Sequence, residues 1–175
     1  MIKKTNLKDI KIVTNSIHRD NRGYFKEILL EKKIKEKFPF MVMSYSKKNV
    51  IRGLHIQLKK SQGKYVSVIR GKIFDVAVDL RKNSKKYGKV YAITLSEKNS
   101  KSLFIPAGFA HGFFAMGEEN YIVYSCTNYR DSKSEVSIKY NDKRLKIKWP
   151  SKKILISKKD LNAMSLDEFE SKFIN

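Results

Sequence analysis

Short apolar segments separated by turn-forming residues run through the middle of the chain, and they restrict what it can fold into. They are Tyr65 to Ile69, Ile73 to Leu80, Tyr91 to Leu95, Ser102 to Ile105, Gly112 to Ala115 and Tyr121 to Cys126. Arg70-Gly71-Lys72 and the stretches SEKN, PAG and GEEN interrupt them. Segments this short, recurring every roughly 8 to 12 residues, predict an all-β sandwich or barrel. In Ile73 to Leu80 the side chains of Phe74, Val76, Val78 and Leu80 share one face, and Asp75, Ala77 and Asp79 the other. Two acids on one face imply solvent or a polar cavity.

The flanks differ. A turn at Asp20 to Gly23 leads into a strand through Tyr24, Phe25 and Ile28, and Glu31 to Lys37 reads as a short charged helix. Ser165 with Glu168 forms a capping-box pattern, with Phe169 and Phe173 at helical spacing, which predicts a C-terminal helix from about Ser165 to Phe173 packed on the β body. With no internal repeat and no linker, the 175 residues are expected to form one domain, 1–175.

The net charge of +21 suggests a polyanion partner. The lysines, however, are dispersed along the whole chain, and no RNP motif, zinc finger or basic heptad array accompanies them. A lysine-rich solvated surface with local cations for a phosphorylated ligand is the reading adopted, with no nucleic acid as partner. No run of 18 apolar residues occurs and the N-terminal MIKKTNLKDIKI lacks a signal-peptide core, so no membrane association is expected and the location is read as cytoplasmic. Cys126, the only cysteine, excludes an intrachain disulfide and a cysteine-cluster metal site, and is expected in the core.

Chemistry concentrates in Val50 to Lys64, which sets Arg52, His55 and Lys64 on two short strands joined by a turn. Downstream, IPAGFAHGF at 105–113 resembles the second motif of the cupin superfamily, a turn at the mouth of a small jelly-roll barrel. The first cupin motif supplies metal ligands through His-x-His, whereas this chain has His55-Ile56-Gln57. Three protein ligands are usual for a divalent ion, and beyond His18 in the N-terminal segment only His55 and His111 remain, so no metal is expected.

The resemblance then becomes specific. Asp20-x-Arg22-Gly23-x-Phe25-x-Glu27, Arg52-Gly53-Leu54-His55, Gln62-Gly63-Lys64, the stretch Phe74 to Asp79, Ile105 to Phe113, Tyr124, Asn141-Asp142, Trp149-Pro150 and Ser157 to Asp160 follow in order. Together they resemble the dTDP-4-dehydrorhamnose 3,5-epimerase family, over residues of about 18 to 160. That resemblance implies an all-β, cupin-like double-stranded β-helix (jelly roll) with a few short peripheral helices, including the C-terminal one. It also implies a nucleotide-diphosphate sugar substrate, no cofactor and a homodimer. The reaction would invert C3 and/or C5 of a 4-keto-6-deoxy sugar by removing a proton next to the ketone and returning one on the opposite face.

By the same resemblance His55 is the base, Asp160 its carboxylate partner, Lys64 the stabiliser of the enolate across a hairpin, and Tyr124 the acid. Arg22, Arg52 and Lys159 match positions around the nucleotide and its diphosphate. Glu27 and Glu135 match further ligand contacts, and His111 a substrate or supporting contact. From residue type alone, His55 could be structural, Tyr124 a core aromatic and Asp160 a cap, with Asp75 as the alternative partner of His55. Two departures stand out: Phe40 and Val42 replace a Gln-x-Asn pair that contacts the nucleotide, and Arg130 replaces an aromatic. A C3-only or C5-only epimerase, a ketoisomerase on the same barrel, or a non-catalytic cupin binding module are the alternatives.

Overall fold

A computed structural model of the chain describes residues 1–7 and 9–174. Strands β1 (Ile2–Lys4), β2 (Lys11–Thr14), β3 (Ile17–Asp20) and β4 (Gly23–Lys26) precede the one-turn helix α1 (Glu31–Ile34). The body follows as β5 (Phe40–Lys47), β6 (Val50–Gln57), β7 (Lys64–Arg70), β8 (Lys72–Asp79), β9 (Val90–Ser96), β10 (Lys101–Ile105), β11 (Phe109–Ala115) and β12 (Glu119–Cys126). Two short strands, β13 (Glu135–Ser137) and β14 (Leu155–Ile156), and helices α2 (Lys158–Leu161) and α3 (Leu166–Phe173) complete the chain.

One antiparallel sheet runs in the order β1-β2-β10-β7-β12-β5, and a second in the order β13-β6-β11-β8-β9, with β14 added parallel to β6. Strands β3 and β4 form a separate hairpin. The two large sheets enclose a core that includes Val66 and Val68 of β7, Ala77 of β8, Leu103 of β10, Phe113 of β11 and Ile122 of β12. This is the expected all-β jelly roll, and its interior is apolar at one end only.

From β5 to β8 the strands alternate between the two sheets, which corrects one local expectation. Lys64 does not lie across a hairpin from His55: β6 and β7 belong to different sheets, so the two residues approach from opposite walls. The turn at Arg70-Gly71-Lys72 likewise carries the chain from one sheet to the other, with Gly71 at φ +91°, where a Cβ would meet the Glu119 carbonyl at 2.2 Å.

The alternation in β8 also resolves. Val76 and Val78 pack outward against Leu166 and Phe169 of α3, while Ala77 faces the barrel core. Both acids are fully buried, Asp75 against His111 and Asp79 against Arg81 and Ser84. Helix α3 starts as predicted, with the Ser165 hydroxyl accepting from Glu168 N–H and the Glu168 carboxylate accepting from Ser165 N–H. Burial of Leu166 and Phe169 contributes roughly 1.5 to 3 kcal/mol each. Helix α1 is shorter than EKKIKEK suggests, because Lys35 turns left-handed at φ +63° and ends it.

Candidate functional site

A cavity of about 670 Å³ opens at the other end of the barrel, lined by both sheets. The β6 wall supplies His55, turned inward by alternation with Leu54 and Ile56 of the outer cluster. It also supplies Arg52, which reaches the cavity because the pairing with β11 shifts register between His111, opposite His55, and Phe113, opposite Arg52. Backbone close approach fixes this wall: a Cβ on Gly53 would lie 2.6 Å from the Gly112 Cα, and Gly53 sits at φ +118°. The facing sheet supplies Tyr124 and Cys126 of β12, Lys64 of β7, and Phe40, Val42 and Ser44 of β5. Its cross-strand register places Lys64 and Phe40 on either side of Cys126, and Val42 beside Tyr124.

His55 Nε2 is 2.6 Å from Asp160 Oδ1. Asp160 is only 4% exposed, and its other oxygen accepts from Gly53 N–H at 3.3 Å. Ser157 caps α2 by accepting from Asp160 N–H, which fixes the carboxylate where β14 meets β6. Burial alone would raise the Asp160 pKa, but the hydrogen bond and charge of His55, with Gly53 N–H and Ser157, bring it below the ordinary carboxylate value. An ionised carboxylate only accepts, so it holds the proton of neutral His55 on Nε2 and leaves Nδ1 as the basic nitrogen. Asp75 is engaged elsewhere, 2.9 Å from His111 Nε2, so Asp160 and not Asp75 partners His55.

On the opposite wall the Tyr124 hydroxyl lies 3.0 Å from Ser44 Oγ. Burial raises its pKa above the usual phenol value, against the smaller lowering effect of Ser44, so it stays a proton donor at neutral pH. Its ring stands edge-on to His111 at 6.0 Å between centroids. Burial lowers the Lys64 pKa below the ordinary amine value. Desolvation of an ammonium sharpens its pull on a developing oxyanion.

At the mouth, Glu135 bonds Lys159 at 2.5 Å and Arg130 at 3.2 Å. Burial would raise the Glu135 pKa, and Lys159, with smaller contributions from His55 and Arg130, lowers it below its ordinary value. Arg52 donates to Ser46 Oγ and the Tyr45 carbonyl, both at 3.0 Å, and has no carboxylate partner among the described residues. Thus His55, Asp160, Lys64, Tyr124, Arg52, His111, Glu135 and Lys159 share one cavity. Arg22 and Glu27 do not: Arg22 pairs with Asp20 at the tip of the β3–β4 hairpin, and Glu27 lies 3.9 Å from Lys33.

Three participants escaped the sequence reading. Ser44 carries no signal beyond period-two alternation with Ser46. Ser157 does carry one, the Ser-x-x-Asp spacing of a helix start. Gln57, read only for not being histidine, is buried and ties the loop after β12 by donating to the Tyr129 carbonyl and accepting from Asp131 N–H. Among the described residues, no three His, Cys, Asp or Glu side chains gather as a metal-ligand set.

The geometry, two potential proton carriers on opposite walls with cations at the floor and mouth, agrees with what known proteins resemble this chain. The family model described as dTDP-4-dehydrorhamnose 3,5-epimerase matches residues 4–168. A relative of that name from Methanothermobacter thermautotrophicus is 42% identical over 173 residues, covering 94% of each chain. The crystal structure of a dTDP-6-deoxy-D-glucose-3,5-epimerase from Legionella pneumophila, in complex with dTDP-4-keto-L-rhamnose, superposes with a TM-score of 0.95 at 37% identity, over 99% of this chain and 96% of that one. A dTDP-4-dehydrorhamnose 3,5-epimerase structure from Bacillus anthracis, with TDP and PPi bound, gives a TM-score of 0.91 at 33% identity over 95% and 99%. With its sequence matched from residue 4 to 168 and its fold shared along nearly the whole length, the chain belongs to the dTDP-4-dehydrorhamnose 3,5-epimerase family.

Proposed function

We propose that the chain, as one jelly-roll epimerase domain, converts dTDP-4-dehydro-6-deoxy-D-glucose to dTDP-4-dehydro-L-rhamnose by inverting C3 and C5. The observation that carries this is the placement of the His55–Asp160 pair on one wall of the cavity and Tyr124 on the other. His55 Nδ1 removes the proton from the carbon beside the ketone, and the bonding electrons move onto the C4 oxygen. The Lys64 ammonium stabilises that enolate. Tyr124 then delivers its proton to the opposite face, the enolate collapses to the ketone, and the configuration is inverted. Imidazolium and phenolate remain, and proton return through the open cavity resets both before the second carbon reacts. Arg52 and Lys159 hold the diphosphate, and His111, fixed by Asp75, contacts the sugar.

A homodimer completes this reading. Strand β5 is the free edge of its sheet, and its outward side chains Met41, Met43 and Tyr45 are 68%, 63% and 41% exposed. A second copy covering this apolar face would bring the β3–β4 hairpin, with exposed Tyr24 and Phe25, to its partner's cavity. Arg22 and Glu27 would then serve the neighbouring site. The enzyme works in the cytoplasm in dTDP-rhamnose supply for polysaccharide synthesis; no helix among the described residues is long and apolar enough to cross a membrane.

The test is NMR of the purified protein with dTDP-4-keto-6-deoxyglucose in deuterated buffer. Deuterium at both C3 and C5 with L-rhamno product is expected. Exchange at one carbon alone would make it a mono-epimerase, and none would refute the assignment.

A further inference from the structure

The loop after β12 brings an additional cation to the cavity. Thr127 N–H bonds the Gly63 carbonyl at 3.0 Å, Gln62 donates to the Asn128 carbonyl at 2.7 Å, and Asn128 donates to the Ser61 carbonyl at 3.1 Å. Buried Gln57 then fixes both neighbours of residue 130, donating to the Tyr129 carbonyl at 3.2 Å and accepting from Asp131 N–H at 2.8 Å. Tyr129 also packs on Phe40, 6.0 Å between ring centroids. The backbone that carries Arg130 is therefore anchored on both sides.

Arg130 lines the cavity with only its Nε engaged, 3.2 Å from Glu135 Oε2. No hydrogen bond from its two terminal nitrogens occurs among the described residues, so the forked end of the guanidinium is available for a ligand. Glu135 divides its carboxylate, one oxygen to Arg130 and the other to Lys159, and so holds the two cations side by side. On this wall Phe40 and Val42 present no polar side-chain atom to the cavity. The cavity is lined by four cations, Arg52, Lys64, Arg130 and Lys159, and two carboxylates, Glu135 and Asp160. With His55 neutral that leaves a charge of +2, which balances the two ionised oxygens of a sugar-nucleotide diphosphate. Without Arg130 the balance fails by one.

We infer that Arg130 is a substrate-binding residue that grips the diphosphate together with Lys159, with Glu135 as the internal counter-ion that pre-sets both cations before the ligand arrives. The inference rests on the nucleotide-sugar reading given above. It explains why Gln57 is spent on a loop: the loop must hold a charge at a fixed place.

The experiment is calorimetric binding of dTDP and of inorganic pyrophosphate to the wild-type protein, Arg130→Ala and Arg130→Lys at low and high salt. Loss of one charge-assisted contact predicts about tenfold weaker binding of both probes by Arg130→Ala. A shallower salt dependence and partial recovery in Arg130→Lys are also expected. In the epimerase assay Arg130→Ala is expected to raise KM about tenfold with kcat within about twofold, the pattern of uniform binding. Unchanged affinity in Arg130→Ala overturns the assignment. So does weaker binding of dTDP with pyrophosphate unaffected, which would place Arg130 on the nucleoside. Wild-type protein that binds neither probe would instead refute the nucleotide-sugar reading, and Arg130 with it.

Discussion

Replacing Asp160 by Asn separates the shape of the His55 partner from its charge. Asp160 accepts twice, from His55 Nε2 at 2.6 Å and from Gly53 N–H at 3.3 Å, so an amide cannot serve both while the His55 proton stays on Nε2. With its NH2 toward His55, the amide forces the imidazole proton onto Nδ1 and removes the basic lone pair from the cavity. With its oxygen toward His55, the NH2 meets Gly53 N–H donor to donor. The first arrangement keeps both hydrogen bonds at the expense of the reactive tautomer, and the second forfeits the bond to Gly53, worth about 1 to 3 kcal/mol at a buried site. The imidazolium formed by proton abstraction also loses its counter-charge, an interaction of roughly 4 kcal/mol at about 4 Å and an effective dielectric near 20. The two costs overlap, and a barrier increase of about 4 kcal/mol corresponds to a rate loss of the order of 10³-fold. The assay is the initial rate of deuterium wash-in to dTDP-4-keto-6-deoxyglucose, with a thermal melt to confirm folding. A folded Asp160→Asn protein within about tenfold of wild type would refute the tautomer argument.

Three further outcomes follow from the same geometry. Tyr124→Phe should lose net inversion by about 10²-fold or more while wash-in falls less than about tenfold, and equal loss of both would show that one group performs both transfers. Lys64 must be an ammonium to act, and burial lowers its pKa, so turnover should decline as pH rises before the ordinary lysine range near 10.4 is reached. Lys64→Arg, charged throughout, should lack that alkaline limb even if its rate is reduced, and a retained limb would assign it to another group. Asp160 and Asp79 have folded-state pKa values lowered from 3.8, for Asp79 against the upward push of burial and through Arg81 and Ser84. Their stabilisation is complete above about pH 4 and is lost as the pH falls through the lowered values, so Asp79→Asn should flatten the acid side of the denaturation profile.

What could be read in the sequence was local. The Ser165 and Glu168 capping box needs only three residues of separation, and both of its bonds form. Strand periods were equally visible, since each depends on its own neighbours. What escaped depended on which sheet a strand joins. Asp160 meets His55 across 105 positions, and nothing near either residue excludes Asp75. Lys64 looked like a hairpin neighbour because the turn between β6 and β7 is short, yet jelly-roll closure sends the two strands to opposite walls. The acids of β8 shared a face as expected, but α3 covers the other face, so pattern alone could not separate solvent from interior. The family resemblance supplied that long-range arrangement, and it said least about Arg130, where this chain departs from the family pattern.

The central claim is that His55 is the base at the reacting carbon. Its most direct test is deuterium wash-in at C3 and C5 by His55→Ala, compared with the wild-type protein under the same conditions. Exchange at both carbons in wild type and its disappearance at both in a folded His55→Ala protein is the predicted result. Exchange that persists at either carbon would contradict it.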